Sequence, residues 1–208
     1  AGHSLGEFVA LYAAEVFDLT TALNLLKTRS ELMASVGAGA MTAVLGFVRA
    51  ELEELVGNTQ GVVIANDNSS DQVVLSGNQK AVDLVSNTIN CKRVVSLKVS
   101  GAFHSPLMED AASAFASKLD SVTFCDPIFP VLSNADPTPS LDADLLKERV
   151  KQQMISGVRW REIMQCFENE GITTLVEIGP GKVLSGLAKR SMKGVILNQI
   201  SSISDLGH

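Results

Sequence analysis

Cysteine is scarce in this sequence, and so are the patterns that turn cysteine and histidine into cross-links or metal ligands. The 208 residues include three cysteines, which are widely spaced, and three histidines, which form no cluster. No C-x-x-C pair occurs, so the sequence predicts neither a disulfide framework nor a metal site. An odd, sparse set of cysteines fits a reducing compartment, where we expect each thiol to serve as a small buried apolar side chain.

Long apolar and long basic runs are also missing. No apolar run reaches the ~20 residues that a membrane-spanning helix needs, and the N-terminal residues lack the charged and apolar regions of a secretion signal. The formal net charge of −6 and the absence of a basic stretch argue against nucleic acid as a partner. We expect a cytoplasmic protein, or a plastid or mitochondrial one if the source is a eukaryote, with no membrane contacts.

Apolar residues, by contrast, make up 46% of the sequence and follow alternating strand and helix patterns. Residues 41–100 form a unit of their own in this respect. The predicted order is strand 41–48, helix 50–56, strand 62–65, turn 67–71, strand 72–76, helix 79–89 and strand 93–99. This βαββαβ order predicts a ferredoxin-like fold for the unit.

The alternation continues on both sides of this unit, in residues 1–40 and 101–208. Helical patterns cover 8–17, 18–36, 106–119, 145–155, 158–168 and 183–190, and strand patterns cover 130–133, 174–178 and 195–200. Strands that alternate with helices predict a mostly parallel sheet covered on both faces. We therefore expect an α/β body into which the ferredoxin-like unit is inserted.

Ser4 lies in the pentapeptide GHSLG at residues 2–6, which matches the pattern G-x-S-x-G. In that pattern the serine sits on a tight turn between a strand and a helix, and small flanking residues let the backbone pack closely. The following helix points its N-terminus at the serine, which places the amide of Leu5 to stabilise an oxyanion. A glycine-rich turn that merely caps a helix fits the same five letters. The amphipathic segment that begins right after Gly6 favours a serine nucleophile.

A serine hydroxyl is a weak nucleophile unless a nearby base takes its proton. His208 is the last residue of the sequence, and the side chain of His3 should leave the turn in a different direction from that of Ser4. His104 follows a predicted strand and precedes a predicted helix, where α/β folds place active-site residues. A lone histidine is more often a structural residue, but no other base is available for Ser4, so we predict this role for His104.

Arg29 falls on an apolar face of its predicted helix. Its neighbours three and four positions away on either side are Leu25, Leu26, Leu32 and Met33. A buried guanidinium is costly unless it is paired. It could reach the edge of the core or meet an internal carboxylate, or it could receive a substrate carboxylate in a bidentate pair. Residue chemistry alone leaves these possibilities open.

Taken together, several segments resemble the malonyl-CoA:acyl carrier protein transacylases, the acyltransferase family of fatty acid and polyketide synthesis. The resemblance covers essentially the whole chain. The matching segments are 2–7 (GHSLGE), 27–33 (KTRSELM), 65–69 (ANDNS), 72–77 (QVVLSG), 101–105 (GAFHS), 157–160 (GVRW) and 177–181 (EIGPG).

The resemblance implies an α/β-hydrolase-like body with a ferredoxin-like subdomain. It also implies that Ser4 takes a malonyl group from coenzyme A and passes it to the pantetheine thiol of acyl carrier protein, without a cofactor and as a monomer. Arg29 would bind the malonyl carboxylate, and Phe103 and Asn68 would line the substrate pocket. A backbone carbonyl orients the histidine in the family, and by position Gln153 would supply it.

One family feature is missing, namely a G-Q-G-S-Q motif near the N-terminus whose glutamine supplies a second oxyanion donor. The tight turn at Ser4 also needs a preceding strand, but only three residues precede Ser4. We therefore interpret the sequence as the C-terminal part of a longer protein, which puts the activity of the chain in isolation in doubt.

Two alternatives to acyl transfer remain at this point. The first is an esterase or thioesterase of the α/β-hydrolase type, although those enzymes place an acid between the serine and a late histidine, whereas His104 lies mid-chain. The second is an inactive truncated acyltransferase. The presence of Ser4, Arg29 and His104 together speaks against the second.

Basic residues gather near the C-terminal end of the sequence, on or beside the predicted helix 183–190. They are Lys182, Lys189, Arg190 and Lys193. Because acyl carrier proteins are acidic and this chain is acidic too, any attraction between them must be local. The cluster is a candidate docking surface, and an ordinary solvated helix face explains it equally well.

Overall fold

Helices and strands alternate through the computed structural model of the chain, which describes residues 1–37 and 39–206. His208 lies outside the described residues. The helices are α1 Gly6–Ala13, α2 Leu19–Ser35, α3 Arg49–Gly57, α4 Gln79–Thr88, α5 Glu109–Asp120, α6 Ala143–Gln152, α7 Trp160–Asn169 and α8 Val183–Ser191. The strands are β1 Ala40–Phe47, β2 Val62–Ser69, β3 Gln72–Gly77, β4 Cys91–Ser96, β5 Thr174–Ile178 and β6 Ile196–Ile200.

The first four strands form one antiparallel sheet in the order β2-β3-β1-β4. With α3 and α4 between them, the element order is βαββαβ, so the predicted ferredoxin-like unit is confirmed. Its core consists of apolar side chains from one face of the sheet and from the two helices, with Val44, Leu52, Val73 and Val82 fully buried. Burial of such side chains is the main source of the unit's stability.

The body packs α1, α2, α5 and α6 around a second apolar core. Phe8, Leu25, Phe115 and Leu146 are fully buried in it, and the rings of Phe8 and Phe115 meet edge to face at 5.8 Å between centroids. Asp18 caps α2 through a 2.7 Å hydrogen bond from the Thr21 amide to its side chain. This core fixes α1 and α2 against each other and thereby sets the positions of the residues that these helices carry.

The parallel part of the body consists, among the described residues, of β5 and β6. Leu175 and Leu197 on these strands pack with α7 and α8. On the opposite face, Ile178 and Ile196 are exposed. The expectation of a sheet covered on both faces is therefore not met within the described residues.

Strand β2 joins the ferredoxin-like unit to the body through backbone hydrogen bonds. The Asp67 amide donates to the Val158 carbonyl at 2.9 Å, and the Val158 amide donates to the Ala65 carbonyl at 2.8 Å. A Cβ at Gly157 would lie 2.7 Å from the carbonyl oxygen of Ile64, so a larger residue there would push the two units apart.

The side chain of Asp67 reinforces this junction. Its carboxylate lies 2.8 Å from Nη2 of Arg161, in the first turn of α7, and 2.9 Å from Nη2 of Arg49 on α3. All three side chains are largely shielded from solvent, so the ion pairs are screened less than surface pairs are. The unit and the body are thus held together along β2.

Several local predictions were wrong. Cys125 is exposed and not buried, α1 ends at Ala13 and not at residue 17, and three further segments differ because of their contacts. Strand β2 continues through the segment predicted as a turn and ends at Ser69, because Asn68 is held by a partner in the body, described below. Residues 130–133 form a single bridge, Val131 to Ser140, instead of a strand. Helix α7 begins at Trp160 and not at residue 158, because the backbone of Val158 is paired with β2.

Candidate active site

Ser4 sits on a strained turn directly before α1. Its φ is +50°, a left-handed conformation that residues with a side chain seldom adopt. The turn is closed by a 2.9 Å hydrogen bond from the Gly6 amide to the His3 carbonyl. A Cβ on Gly2 would overlap the Gly6 carbonyl, whereas a Cβ on Gly6 would meet nothing. The first glycine of the pattern is therefore required by close packing, and the second contributes its backbone to that contact.

The side chain of Asn134 holds the turn from the other side. Its Oδ1 accepts from the Ser4 amide, and its Nδ2 donates to the Gly2 carbonyl, both at 2.6 Å. Asn134 is almost fully buried, so neither bond competes with bulk water. One rigid amide thus takes part in two hydrogen bonds that fix the orientation of the turn, and no local sequence pattern indicates this role for Asn134.

His104 lies against the serine. The distance from Ser4 Oγ to His104 Nε2 is 2.8 Å, and His104 Nδ1 lies 2.9 Å from the Gln153 carbonyl and 3.2 Å from the Ser156 carbonyl. Carbonyl oxygens only accept hydrogen bonds, so Nδ1 carries the proton and Nε2 is left to accept from the serine hydroxyl. The arrangement has the geometry of a nucleophile and base, with backbone carbonyls in the place of an acidic side chain.

The surroundings of His104 favour its neutral form. Burial and then the positive charge of Arg29 lower its pKa to about 4, against the opposing effect of the Gln153 and Ser156 carbonyls. A neutral imidazole is the form that accepts a proton. His104 is therefore in the form that can accept a proton at neutral pH.

Arg29 is buried, 4% exposed, and points at the same hydroxyl. Its Nη2 donates to Ser4 Oγ at 2.9 Å, and its Nε donates to Gln153 Oε1 at 3.0 Å. Its guanidinium carbon lies 5.7 Å from the centre of the Phe8 ring. Among the described residues Arg29 makes no salt bridge, so the internal carboxylate considered from the sequence is not its direct partner.

Gln153 connects three parts of this site. Its carbonyl faces His104 and its side-chain oxygen faces Arg29, while its Nε2 donates to the Ser4 carbonyl at 2.9 Å and to Glu7 Oε2 at 2.7 Å. Glu7 is fully buried and was not singled out from the sequence. The available signal was its position three residues after Ser4, which turns its side chain from α1 towards the core.

The remaining predicted residues surround the serine. The Leu5 amide follows Ser4 at the N-terminal end of α1, where amides have no partner within the helix. Asn68 on β2 pairs with His3 Nε2 through its Oδ1 at 2.9 Å, and the rings of His3 and Trp160 lie tilted at 56° to each other, with 5.6 Å between their centroids. Phe103 packs against the apolar core of the body and against the other face of the antiparallel sheet, which carries Met41 and Val74, so it lies between the body and the ferredoxin-like unit.

Among the described residues no group of three or more His, Cys, Asp or Glu side chains is arranged to hold a metal ion. Within the same residues no helix is both long enough and apolar enough to cross a membrane.

Known proteins are similar to this chain in sequence and in fold. The chain is 48% identical to a malonyl CoA-acyl carrier protein transacylase from Synechocystis sp. over 99% of its own length and 70% of that protein. The crystal structure of the malonyl-CoA:ACP transacylase of Synechocystis superimposes with a TM-score of 0.96 at 47% identity, over 98% of this chain and 70% of that one. The predicted fold class, an α/β-hydrolase-like body with a ferredoxin-like subdomain, is thereby confirmed.

A structure of a type II polyketide synthase acyl carrier protein in complex with its malonyl-transacylase also superimposes. Its TM-score is 0.90 at 33% identity, over 98% of this chain and 69% of the other. The family model described as "Acyl transferase domain" matches residues 1–204. The chain therefore belongs to the acyl transferase domain family.

Proposed function

We propose that this chain transfers a malonyl group from malonyl-CoA to the phosphopantetheine thiol of acyl carrier protein, through a malonyl ester on Ser4. The observation that carries the proposal is the convergence of His104 Nε2 and Arg29 Nη2 on one serine hydroxyl, at 2.8 Å and 2.9 Å. A base makes the hydroxyl a nucleophile, and a cation beside it suits an acyl group with a free carboxylate. The names of the relatives support the same activity.

In the first half of the reaction Ser4 Oγ attacks the thioester carbonyl of malonyl-CoA, and its proton passes to His104 Nε2. The Leu5 amide donates to the oxyanion that forms on the carbonyl oxygen. When this intermediate collapses, the carbon–sulfur bond breaks, and the departing coenzyme A sulfur takes the proton from His104. The malonyl group remains as an ester on Ser4.

In the second half the pantetheine thiol of acyl carrier protein gives its proton to His104 and attacks the ester carbonyl. The bond to Ser4 Oγ breaks, and the serine recovers its proton from His104. The two thioesters therefore use the same residues in succession, which predicts ping-pong kinetics.

We assign the choice of acyl group to Arg29, Phe103 and Asn68. Malonyl carries a carboxylate that Arg29 can bind in a bidentate, charge-assisted pair, and acetyl does not. The Phe103 ring would fill the space beside the carbon between the two carbonyl groups, and so disfavour a branched acyl group. Asn68, held by His3, would line the side of the pocket formed by β2.

The two half-reactions use only side-chain and backbone groups of this chain, and we propose that no cofactor or metal takes part. We further propose a monomer that works in the cytoplasm, with acyl carrier protein as its macromolecular partner. Hydrolysis by the same serine is the competing activity. Against it, His104 is oriented by two carbonyls and not by the acid typical of esterases and thioesterases.

Mass spectrometry of the intact protein incubated with malonyl-CoA tests the proposal. We expect a malonyl adduct on the peptide that contains Ser4, its loss in Ser4→Ala, and its discharge when the carrier protein is added. Rapid release of free malonate with no transfer to the carrier would instead indicate a hydrolase. No adduct on a folded protein would indicate an inactive member of the family.

A further inference from the structure

Glu7 is a buried acid to which the reaction steps above give no role. It lies in the first turn of α1, is fully buried, and its Oε2 accepts from Gln153 Nε2 at 2.7 Å. Its Oε1 makes no hydrogen bond of ordinary geometry among the described residues. Burying a carboxyl group costs free energy, so its position beside the catalytic serine calls for an explanation.

Glu7 and the Ser4 carbonyl together determine which way the Gln153 side chain faces. A glutamine amide has a donating end and an accepting end that are similar in shape, and its partners decide between the two orientations. Here the donating end has two acceptors, Glu7 Oε2 and the Ser4 carbonyl, at 2.7 Å and 2.9 Å. The accepting end must therefore face Arg29, where it receives a hydrogen bond from Nε at 3.0 Å.

This orientation in turn determines how Arg29 presents its fork. With Nε held by Gln153, Nη2 is left to face Ser4 Oγ, where an acyl group on the serine would lie. If the amide turned round, its NH₂ group would oppose the Nε–H of Arg29, and the guanidinium would lose its anchor. Glu7 and Arg29 also act on each other's charge. Burial lowers the pKa of Arg29 to about 10 and raises the pKa of Glu7, and the opposite charge of each residue counteracts the shift of the other in part.

We propose that Glu7 is a positioning residue for substrate selection. It acts through the Gln153 amide to hold Arg29 with its terminal nitrogens towards the acyl-serine, and it thereby sets the preference for acyl groups that carry a free carboxylate. The inference rests on the proposed malonyl transfer. It adds a residue and a direction of action, namely Glu7 to Gln153 to Arg29.

The test compares kcat/KM for malonyl-CoA with kcat/KM for acetyl-CoA in the intact protein. Glu7→Leu removes the acceptor and should lower the malonyl-to-acetyl ratio about tenfold, the loss expected for one charge-assisted hydrogen bond. Glu7→Gln keeps an oxygen that can face Gln153 and should restore part of the ratio. Glu31→Gln, an exposed acid-to-amide change on α2, is the matched control and should keep the wild-type ratio.

A double-mutant cycle separates positioning from general damage. In an Arg29→Ala background Glu7→Leu should leave the malonyl-to-acetyl ratio unchanged, because the residue through which it acts is gone. If Glu7→Leu does not fold, Gln153→Met tests the same link, since it removes the amide and keeps the carbonyl that faces His104. It should lower the ratio as Glu7→Leu does.

The outcomes for the inference and for the proposed function differ. An unchanged ratio in Glu7→Leu and in Gln153→Met would overturn the role of Glu7 while malonyl transfer by the wild type stands. An equal fall in both rates would make Glu7 a structural residue, which also overturns the inference. A wild-type protein that forms no malonyl-serine would instead remove the proposed function itself.

Discussion

Ser4 Oγ and His104 Nε2 lie 2.8 Å apart, and both residues have left-handed backbone conformations, with φ values of +50° and +55°. A residue with a side chain adopts this conformation at a cost on the order of 1–3 kcal/mol. Both residues of this hydrogen bond carry that cost, although they lie 100 positions apart in the sequence. Such paired strain is typical of a site in which the direction of two side chains matters more than local backbone comfort.

The first prediction concerns His104 as the base. His104→Ala should slow formation of the acyl-enzyme by roughly 10²–10⁴-fold, the range found when a general base is removed. Single-turnover measurement of serine acylation by malonyl-CoA checks this in the intact protein. A near-native rate would mean that another group takes the serine proton.

The same prediction has a pH dependence. Because burial and Arg29 lower the pKa of His104 to about 4, the imidazole is neutral at any pH well above that value. The rate of acylation should therefore stay level as the pH falls from 8 towards 5 and should drop only as the pH passes through about 4. In Arg29→Ala the neighbouring positive charge is gone, so the pKa of His104 should rise and the acid limb for acetyl-CoA should move to higher pH.

Much of this site was accessible from the sequence because its signals are local. Ser4 sits in a five-residue pattern, Arg29 interrupts an apolar helix face, and the ferredoxin-like unit follows from strand and helix periods separated by clear turns. Asn134 and Glu7 were missed because their importance comes from contacts made across the fold. Asn134 reaches a serine amide 130 positions away, and Glu7 meets an amide 146 positions away.

The local errors have the same origin. Residues 67–69 contain two polar residues followed by a serine, which predicts a turn, yet Asn68 is paired with His3 and the backbone of Asp67 with Val158. Those tertiary contacts keep the segment extended until Ser69. In the reverse direction, residues 130–133 carry a strand pattern but have a single bridging partner, Ser140.

The second prediction concerns docking of the carrier. Lys182, Lys189, Arg190 and Lys193 are all exposed at or beside α8, and Arg190 reaches Gln72 on β3 at 3.4 Å. This basic surface therefore borders both the body and the ferredoxin-like unit. Lys189→Glu with Lys193→Glu should raise KM for acyl carrier protein and flatten its salt dependence, while kcat with saturating carrier changes little.

The matched control for this prediction is Lys118→Glu, an exposed charge reversal in the last turn of α5. It should leave KM for the carrier as it is in the wild type. If the double reversal at low ionic strength also leaves KM unchanged, the carrier docks elsewhere and the cluster is a solvated helix face.

The last prediction concerns substrate choice at Arg29. Its guanidinium is buried, is bound to Gln153 and Ser4, and has no salt-bridge partner among the described residues. A malonyl carboxylate would give Arg29 a direct ion-pair partner in a shielded pocket, where a charge-assisted pair is worth about twice a neutral hydrogen bond. Arg29→Ala should therefore lower kcat/KM for malonyl-CoA by roughly 100-fold or more and keep or raise it for acetyl-CoA.

Arg29→Lys should restore only part of malonyl use, because an ammonium group cannot form the two parallel hydrogen bonds of a fork. The decisive quantity is the change in the malonyl-to-acetyl ratio of kcat/KM. An equal fall for both substrates in Arg29→Ala would mean that this residue supports the structure of the site, and that selection of malonyl has another source.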